Sequence, residues 1–230
     1  MSLGALPSRV VKTSTWIDRI PDEEHRMLCG MVHHLIPTLK WRHNGLGLLQ
    51  AYVQEGTSTE LRIHVWHPSL RREGIVDSGL LHDHRFDLTS YVLVGQIIQR
   101  EYELFENNAF GTWQLHEVVH AREASNRHGT NDGLVSGLPT LYHAVYETRV
   151  IQAGDRYKFP KEHFHGSFID GLAVTVVRKS NQTEKPARIL APYGKPVVHA
   201  FAETLPEEKW AGPLEEARVA LWKRWSEGEA

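Results

Sequence analysis

Between Gly45 and Val177 the chain is a succession of short extended runs separated by turn- and loop-like segments, and this pattern limits the fold more than any other feature. Leu61 to His67 is the clearest run. Leu61, Ile63 and Val65 alternate with Arg62, His64 and Trp66, so the two sets project from opposite faces of one strand. Leu48 to Gln54, Tyr91 to Gln99, Leu141 to Ile151, Arg156 to Phe159 and Leu172 to Val177 read as further strands. Tyr102 to Phe105 and Thr112 to Val119 flank the turn-like Asn107-Asn108-Ala109-Phe110-Gly111 and predict a hairpin. Residues 121–139 are polar and glycine-rich and read as a long loop. Many short strands separated by turns predict a mainly β domain, a small barrel or sandwich.

Two helical patterns bracket these strands. Asp22 to Leu39 carries Met27, Leu28, Met31, Val32, Leu35 and Ile36 at helical spacing. Pro21 and the acidic run Asp22, Glu23 and Glu24 suit its N-terminus, and Pro37 should disturb its end. Pro213 to Trp225 has an apolar face of Leu214, Ala217, Leu221, Trp222 and Trp225, with Glu215 and Glu216 at its start and Lys223 and Arg224 at its end. Docking on its own barrel is the expectation for this helix, and a homodimer contact is the alternative. Lys179 to Pro196 reads as an extended tail lying on the body. The division expected is a helical segment over 1–45 packing on the barrel, the barrel over 46–180, and an extension with a helix over 181–230.

Composition narrows the function classes. A formal net charge of -2 with no Lys/Arg tract argues against a nucleic-acid partner. Cys29 is the only cysteine, which rules out an intramolecular disulfide and points to a reducing, cytoplasmic setting. It lies on the first helical pattern and reads as a buried thiol, and His33 and His34 beside it read as structural. Residues 1–20 lack the continuous apolar stretch of a signal peptide, and no run approaches the roughly 20 residues that span a bilayer, so no membrane partner is expected. Histidine is the outlier: fifteen are present, more than packing and surface roles ordinarily need, and neutral imidazole is the commonest metal ligand.

Two segments can gather such ligands. In extended backbone His82 and His84 point the same way and can offer imidazoles to one ion from one face. A third ligand must come from elsewhere. The segment Gly154 to His165 supplies it, with a glycine opening a strand, Pro160 ending it and His165 following. His163 has the same parity and is the rival ligand.

This pairing resembles the two motifs of the cupin superfamily. The first is His-x-His, an acidic residue four or five places on, then a glycine; His82, His84 and Gly95 match it. The second is Gly-x5-Pro-x-Gly-x2-His; Gly154, Pro160 and His165 match it, and Glu162 stands where the family has its inner glycine. The resemblance implies a double-stranded β-helix (jelly-roll) barrel with an N-terminal and a C-terminal helix, and a metal held by His82, His84 and His165. The acidic ligand position is Leu88 or Thr89 here, and Asp87 comes one residue early, so a three-histidine site is the reading. Three-histidine cupins include the thiol dioxygenases, and residues 61–95 are similar to theirs. That likeness implies a cysteine-dioxygenase-like non-haem iron oxygenase acting on a small molecule with dioxygen; Fe(II) is the metal implied, with Zn, Mn and Ni as alternatives. A metal-dependent isomerase, epimerase or lyase, or a non-catalytic binding cupin, are the competing readings, because the fold hosts many chemistries. No arginine occurs in Leu48 to Gln54, where the carboxylate-binding Arg of cysteine dioxygenases belongs, and Thr89 stands near their crosslinking cysteine. Val177 and Lys179 fall about where they carry a His and Tyr pair, so cysteine itself is not carried over as substrate.

Around the ligands, Arg62, His64 and Trp66 line the pocket if their face points inward, and Arg62 then pairs a substrate carboxylate or phosphate in a bidentate fork. If Leu61, Ile63 and Val65 take the inside instead, that face is solvated. Tyr157 can donate its hydroxyl to a bound oxygen species or be a buried structural tyrosine. Ser167 can hydrogen-bond substrate. Arg85 and Asp87 are candidates to support the ligands, Asp87 by accepting a histidine N–H, or are an ordinary surface pair.

Overall fold

The computed structural model describes residues 16–44, 47–54, 59–70, 81–119, 133–134, 138–194 and 206–227. Most of the predicted 121–139 loop and the end of the 179–196 tail lie outside them.

Alternation dictates the architecture. The strands are β1 (Trp16–Arg19), β2 (Trp41–Asn44), β3 (Leu48–Gln54), β4 (Glu60–Trp66), β5 (Asp87–Val94), β6 (Gln96–Glu106), β7 (Trp113–Val119), β8 (Gly133–Leu134), β9 (Leu141–Gln152), β10 (Asp155–Phe159), β11 (His165–Phe168), β12 (Ala173–Ser180) and β13 (Arg188–Pro192). They form two antiparallel sheets. The larger runs β1-β10-β5-β12-β4-β3-β2, the smaller β11-β6-β9-β7-β13, with β8 beside β7. Together they make a jelly-roll barrel with a helix from each end of the described chain on its outside.

Both faces of the larger sheet are covered. On β4 and β12, Ile63, Val65, Val174 and Val176 pack outward with Leu93 of β5 against Cys29, Val32, Ala217 and Leu221 of the helices. The other parity, Trp66, Ala173 and Val177, points into the barrel with Leu48, Leu88, Val92, Tyr157 and Phe159. A sheet buried on two sides needs apolar residues on both parities, which is why these strands read as near-continuous hydrophobic runs.

Helix α1 (Asp22–Leu35) starts after Pro21 and gives way to a 3-10 turn at Ile36–Thr38, where Pro37 cannot donate to the helical ladder. Helix α2 (Ala211–Ser226) docks on α1 and on the outer face of β4 and β5, as expected of a helix serving its own barrel. The Trp225 ring lies over Gly30, where a Cβ would come within 3.0 Å of it. Glu215 and Glu216 sit in its second turn, since the helix begins two residues before Pro213.

Four expectations are corrected. The segments flanking residues 107–111 are not a hairpin: β6 pairs with β9 along its length, and β9 also meets the start of β7. The turn bonds to the returning strand instead, Asn107 N–H to the Leu141 carbonyl at 2.9 Å and Leu141 N–H to Asn108 Oδ1 at 2.8 Å. The run from Tyr91 to Gln99 is two strands that part at Gly95, which has φ +71° and whose hypothetical Cβ would collide with the Leu172 carbonyl. The tail expected over 179–196 contains β13, paired with β7. The sheets also take β1 and β2 from before residue 46; β1 is fixed to β10 by the Arg156 fork on Asp18, at 3.0 and 2.6 Å. No described helix is long and apolar enough to cross a membrane.

Candidate metal centre

The segment that carries the first two histidines is gripped from both sides. His82 and His165 exchange backbone hydrogen bonds, 3.0 and 2.9 Å, as an isolated antiparallel bridge. On the other side Asp83 N–H reaches the Arg188 carbonyl at 3.0 Å and Leu190 N–H the Leu81 carbonyl at 2.9 Å. The first segment therefore lies between β11 and β13 and joins the edges of the smaller sheet. Asp83 is 1% exposed and accepts from Arg188 three times: backbone N–H at 2.6 Å, Nε at 2.7 Å and Nη2 at 2.6 Å. This buried fork clamps the residue between the two histidines. It was not singled out from the sequence, where an Asp between two histidines reads as solvated.

The barrel brings His82, His84 and His165 together. Their ligating nitrogens all lie within 4.8 Å of one another, and this is the one such group among the described residues. Ring centroids are 4.7 to 5.0 Å apart. A shared ion with Zn–N-like bonds of about 2.0–2.1 Å needs small ring rotations to close on it. The tautomer of His165 is set: its Nδ1 lies 3.1 Å from the His163 carbonyl, which can only accept, so Nδ1 carries the proton and Nε2 keeps its lone pair. His165 stacks on Phe159 at 4.4 Å and His84 on Phe86 at 4.7 Å. Burial, the largest cause, holds His84 and His165 well below the usual imidazole range, so both are neutral and each keeps a nitrogen lone pair. The three residues fit a divalent metal.

His163 is outside this group. Its Nε2 lies 3.2 Å from Glu101 Oε2, and its ring stacks on Phe159 at 5.1 Å. Of Leu88 and Thr89, the two residues expected at the acidic motif position, Leu88 lines the cavity with an apolar side chain.

Arg62, His64, Trp66, Tyr157 and Ser167 all line the cavity that holds the histidines, of about 100 Å³, together with Leu48, Phe86, Leu88, Val177 and Lys179. The polar face of β4 therefore points inward, and the apolar alternative is satisfied at the same time by the helices. Arg62 Nη2 donates to Glu60 Oε2 at 2.9 Å, and Lys179 Nζ donates to the same oxygen at 3.1 Å. His64 is brought down to about 3 by burial, then by Arg62 and Lys179, and is neutral. The Tyr157 hydroxyl accepts from Gln99 Nε2 at 3.2 Å, and Ser167 Oγ donates to Gln99 Oε1 at 2.9 Å. Gln99, fully buried, joins these two candidates. Burial pushes the Tyr157 phenol up, so it stays a neutral donor.

Arg85 and Asp87 are corrected: neither supports the histidines. Asp87 opens β5 at the surface and accepts from Lys161 N–H at 3.0 Å and Asn181 Nδ2 at 2.8 Å. Arg85 lies against Gln182, whose amide oxygen, turned toward it, is 2.9 Å from Nη2. The reason is the start of β5: Phe86 and Leu88 take the inward parity, which leaves 85 and 87 on the other side. Cys29 is fully buried and pushed up to about 12 by that burial. His33 and His34 bond to the Arg218 and Gly30 carbonyls at 3.0 and 2.7 Å.

Two antiparallel sheets close around the three histidines, so the candidate metal centre lies inside the barrel. Comparison with family models and with curated proteins returns no match. Among solved structures the chain is similar to an RmlC-like cupin from Shewanella frigidimarina NCIMB 400, 14% identical over 64% of this chain and 88% of that one, TM-score 0.32. It is also similar to the DMSP lyase DddQ from Ruegeria pomeroyi DSS-3, 12% identical over 85% and 87%, TM-score 0.38. A third is Streptomyces albus HEPD with 2-hydroxyethylphosphonate and Fe(II) bound, 7% identical over 61% of this chain, which spans 22% of that protein, TM-score 0.34.

Proposed function

We propose that this protein is a metal-dependent enzyme that oxygenates a small molecule at iron(II) held by His82, His84 and His165. The observation that supports the reading is the ligand set: three imidazoles at one cavity, with no carboxylate in the group among the described residues. Bound there, iron(II) would keep its full positive charge and up to three open positions, the chemistry of mononuclear iron centres that take up a substrate heteroatom and dioxygen together. The chain's own residues do the rest. Leu48, Trp66, Phe86, Leu88 and Val177 give the cavity an apolar wall that limits water. Tyr157, aimed through Gln99 and kept protonated by burial, is a fixed hydrogen-bond donor at the cavity surface, and Ser167 is held on the same amide. Arg62 and His64 present polar groups to a substrate from β4.

Two measurements test this. Metal analysis of protein purified without added metal should find iron near one equivalent, and iron-loaded protein should consume oxygen with at least one member of a panel of thiols, carboxylic acids and phenols. Zinc, manganese or nickel in the purified protein, with no oxygen consumed after iron loading, would replace the oxygenase reading by a non-redox one in which the metal polarises a carbonyl.

A further inference from the structure

The three histidines take up one side of the cavity; a pair of cations takes up another. Arg62 and Lys179 come from neighbouring strands, β4 and β12, paired at Arg62 and Val177. Their side chains are 16% and 13% exposed, and both line the cavity. Glu60 is the acid bonded to both. Two cations sharing one carboxylate leave a single positive charge shut away from bulk water, an arrangement that costs free energy unless an anion joins it. Two polar atoms here are closed off from solvent without a hydrogen-bond partner: Arg62 Nε and His64 Nε2. Buried donors are rarely left unmade without a reason.

We propose that Arg62 and Lys179, yoked by Glu60, form a subsite for the carboxylate of a short monocarboxylic substrate whose other end carries the donor that meets the histidine-bound metal. This rests on the reading of His82, His84 and His165 as a metal centre. The guanidinium gives the anion its geometry: Nη2 is engaged by Glu60, while Nε is unused and forms one arm of a fork suited to a planar carboxylate. The Arg62 guanidinium is held in place over the Tyr52 ring at 4.2 Å. Lys179 gives one donor to Glu60 and has two more. Burial, then Arg62's charge, brings its ammonium down to about 8, so it remains charged at neutral pH.

Charge and size select the anion. A monoanion balances the surplus of the Glu60, Arg62 and Lys179 cluster, whereas in the metal-free cavity a dianionic phosphate would overshoot it. Phe86 sets the reach: its ring stacks on His84 at 4.7 Å and carries Lys179 Nζ at 4.2 Å, which keeps the ammonium within about 9 Å of the imidazole centre. A carboxylate and a second donor separated by a few carbons span such a gap in a cavity of about 100 Å³.

The test is calorimetric titration of the protein, metal-loaded and after chelation, with three probes: glycolate, the neutral ethylene glycol and inorganic phosphate. Glycolate should bind in both states, at least about tenfold tighter than ethylene glycol, because a charge-assisted contact is lost with the carboxylate. Lys179→Met should weaken glycolate about tenfold, and Lys179→Arg should restore most of the loss. Thermal unfolding of Lys179→Met within a few degrees of the parent would show that the change is local. Glycolate affinity unmoved by Lys179→Met, or phosphate binding chelated protein tighter than glycolate does, would overturn the proposal. The metal reading fails by a different result, namely metal retained in His82→Ala, and glycolate binding to chelated protein is independent of that outcome.

Discussion

The two faces of the larger sheet are made by the same strands and do opposite things. Outward, Ile63, Val65, Leu93, Val174 and Val176 meet the helices in a dry aliphatic layer. Inward, Arg62, His64 and Lys179 stand among Trp66, Leu88 and Val177 and face the histidines. The outer layer is mostly apolar and supplies stability chiefly by burial. The inner layer keeps cations and unmade donors in place because the outer layer, one residue away along each strand, holds the strand that carries them. Stability and chemistry are thus separated by side-chain parity rather than by domain.

That separation can be broken experimentally. The largest effect belongs to His82→Ala: metal retention should fall to background by elemental analysis, while the metal-free variant unfolds close to the metal-free parent. Equal loss of stability in both forms would show that the inner layer is structural after all. Leu93→Ala, fully buried in the outer layer, should cost about 2–5 kcal/mol in denaturant unfolding and leave metal stoichiometry unchanged. Metal loss in the still-folded Leu93→Ala variant would mean that the two faces are coupled.

A third measurement sharpens the comparison through pH. His64 in the folded chain lies at about 3, below its ordinary imidazole value. The unfolded chain therefore binds the extra proton first, and stability is lost as pH falls below about 6.5, at about 1.4 kcal/mol per unit. Between pH 6.5 and 5, metal-free His64→Gln should lose about 2 kcal/mol less than metal-free parent. Identical slopes would deny that His64 is held neutral by the inner layer.

The smallest effect concerns Glu162, a residue in a conformation that favours glycine. Glu162 has φ 64°, a left-handed conformation that glycine adopts without strain, and it is held by Lys185 at 2.9 Å and by its own N–H on the His84 carbonyl at 2.8 Å. Glu162→Gly relieves the strain but frees the unfolded chain and drops an exposed ion pair, so the net change in unfolding free energy should stay below about 1 kcal/mol. A larger loss would mean that Glu162 itself shapes the loop under His84.

Much of this was legible along the chain. The alternation of Leu61 to Trp66 marks a strand whatever its neighbours, His82 and His84 share a face by spacing, and His165 was singled out by the resemblance of Gly154, Pro160 and His165 to the second cupin motif. The short strands β1, β2 and β13 were not legible, because runs of four or five residues, one ending in Pro192, are extended only by virtue of the partner they pair with. The false hairpin has the same origin: a turn says where the chain bends and not which strand returns to it. In the site, Asp83, Gln99 and Glu60 escaped notice because a polar residue reads as solvent-facing until something is known to cover it.

The order of residues by itself determined which side chains share a face, since strand geometry alternates them without reference to anything else. It also determined which donors were available to a metal. Only the tertiary structure decided which face is the inside, because both parities of β4 and β12 are buried, one under the helices and one under the second sheet. The choice follows from where α1 and α2 dock: they take the purely aliphatic face, and the polar face is left to close around the three histidines.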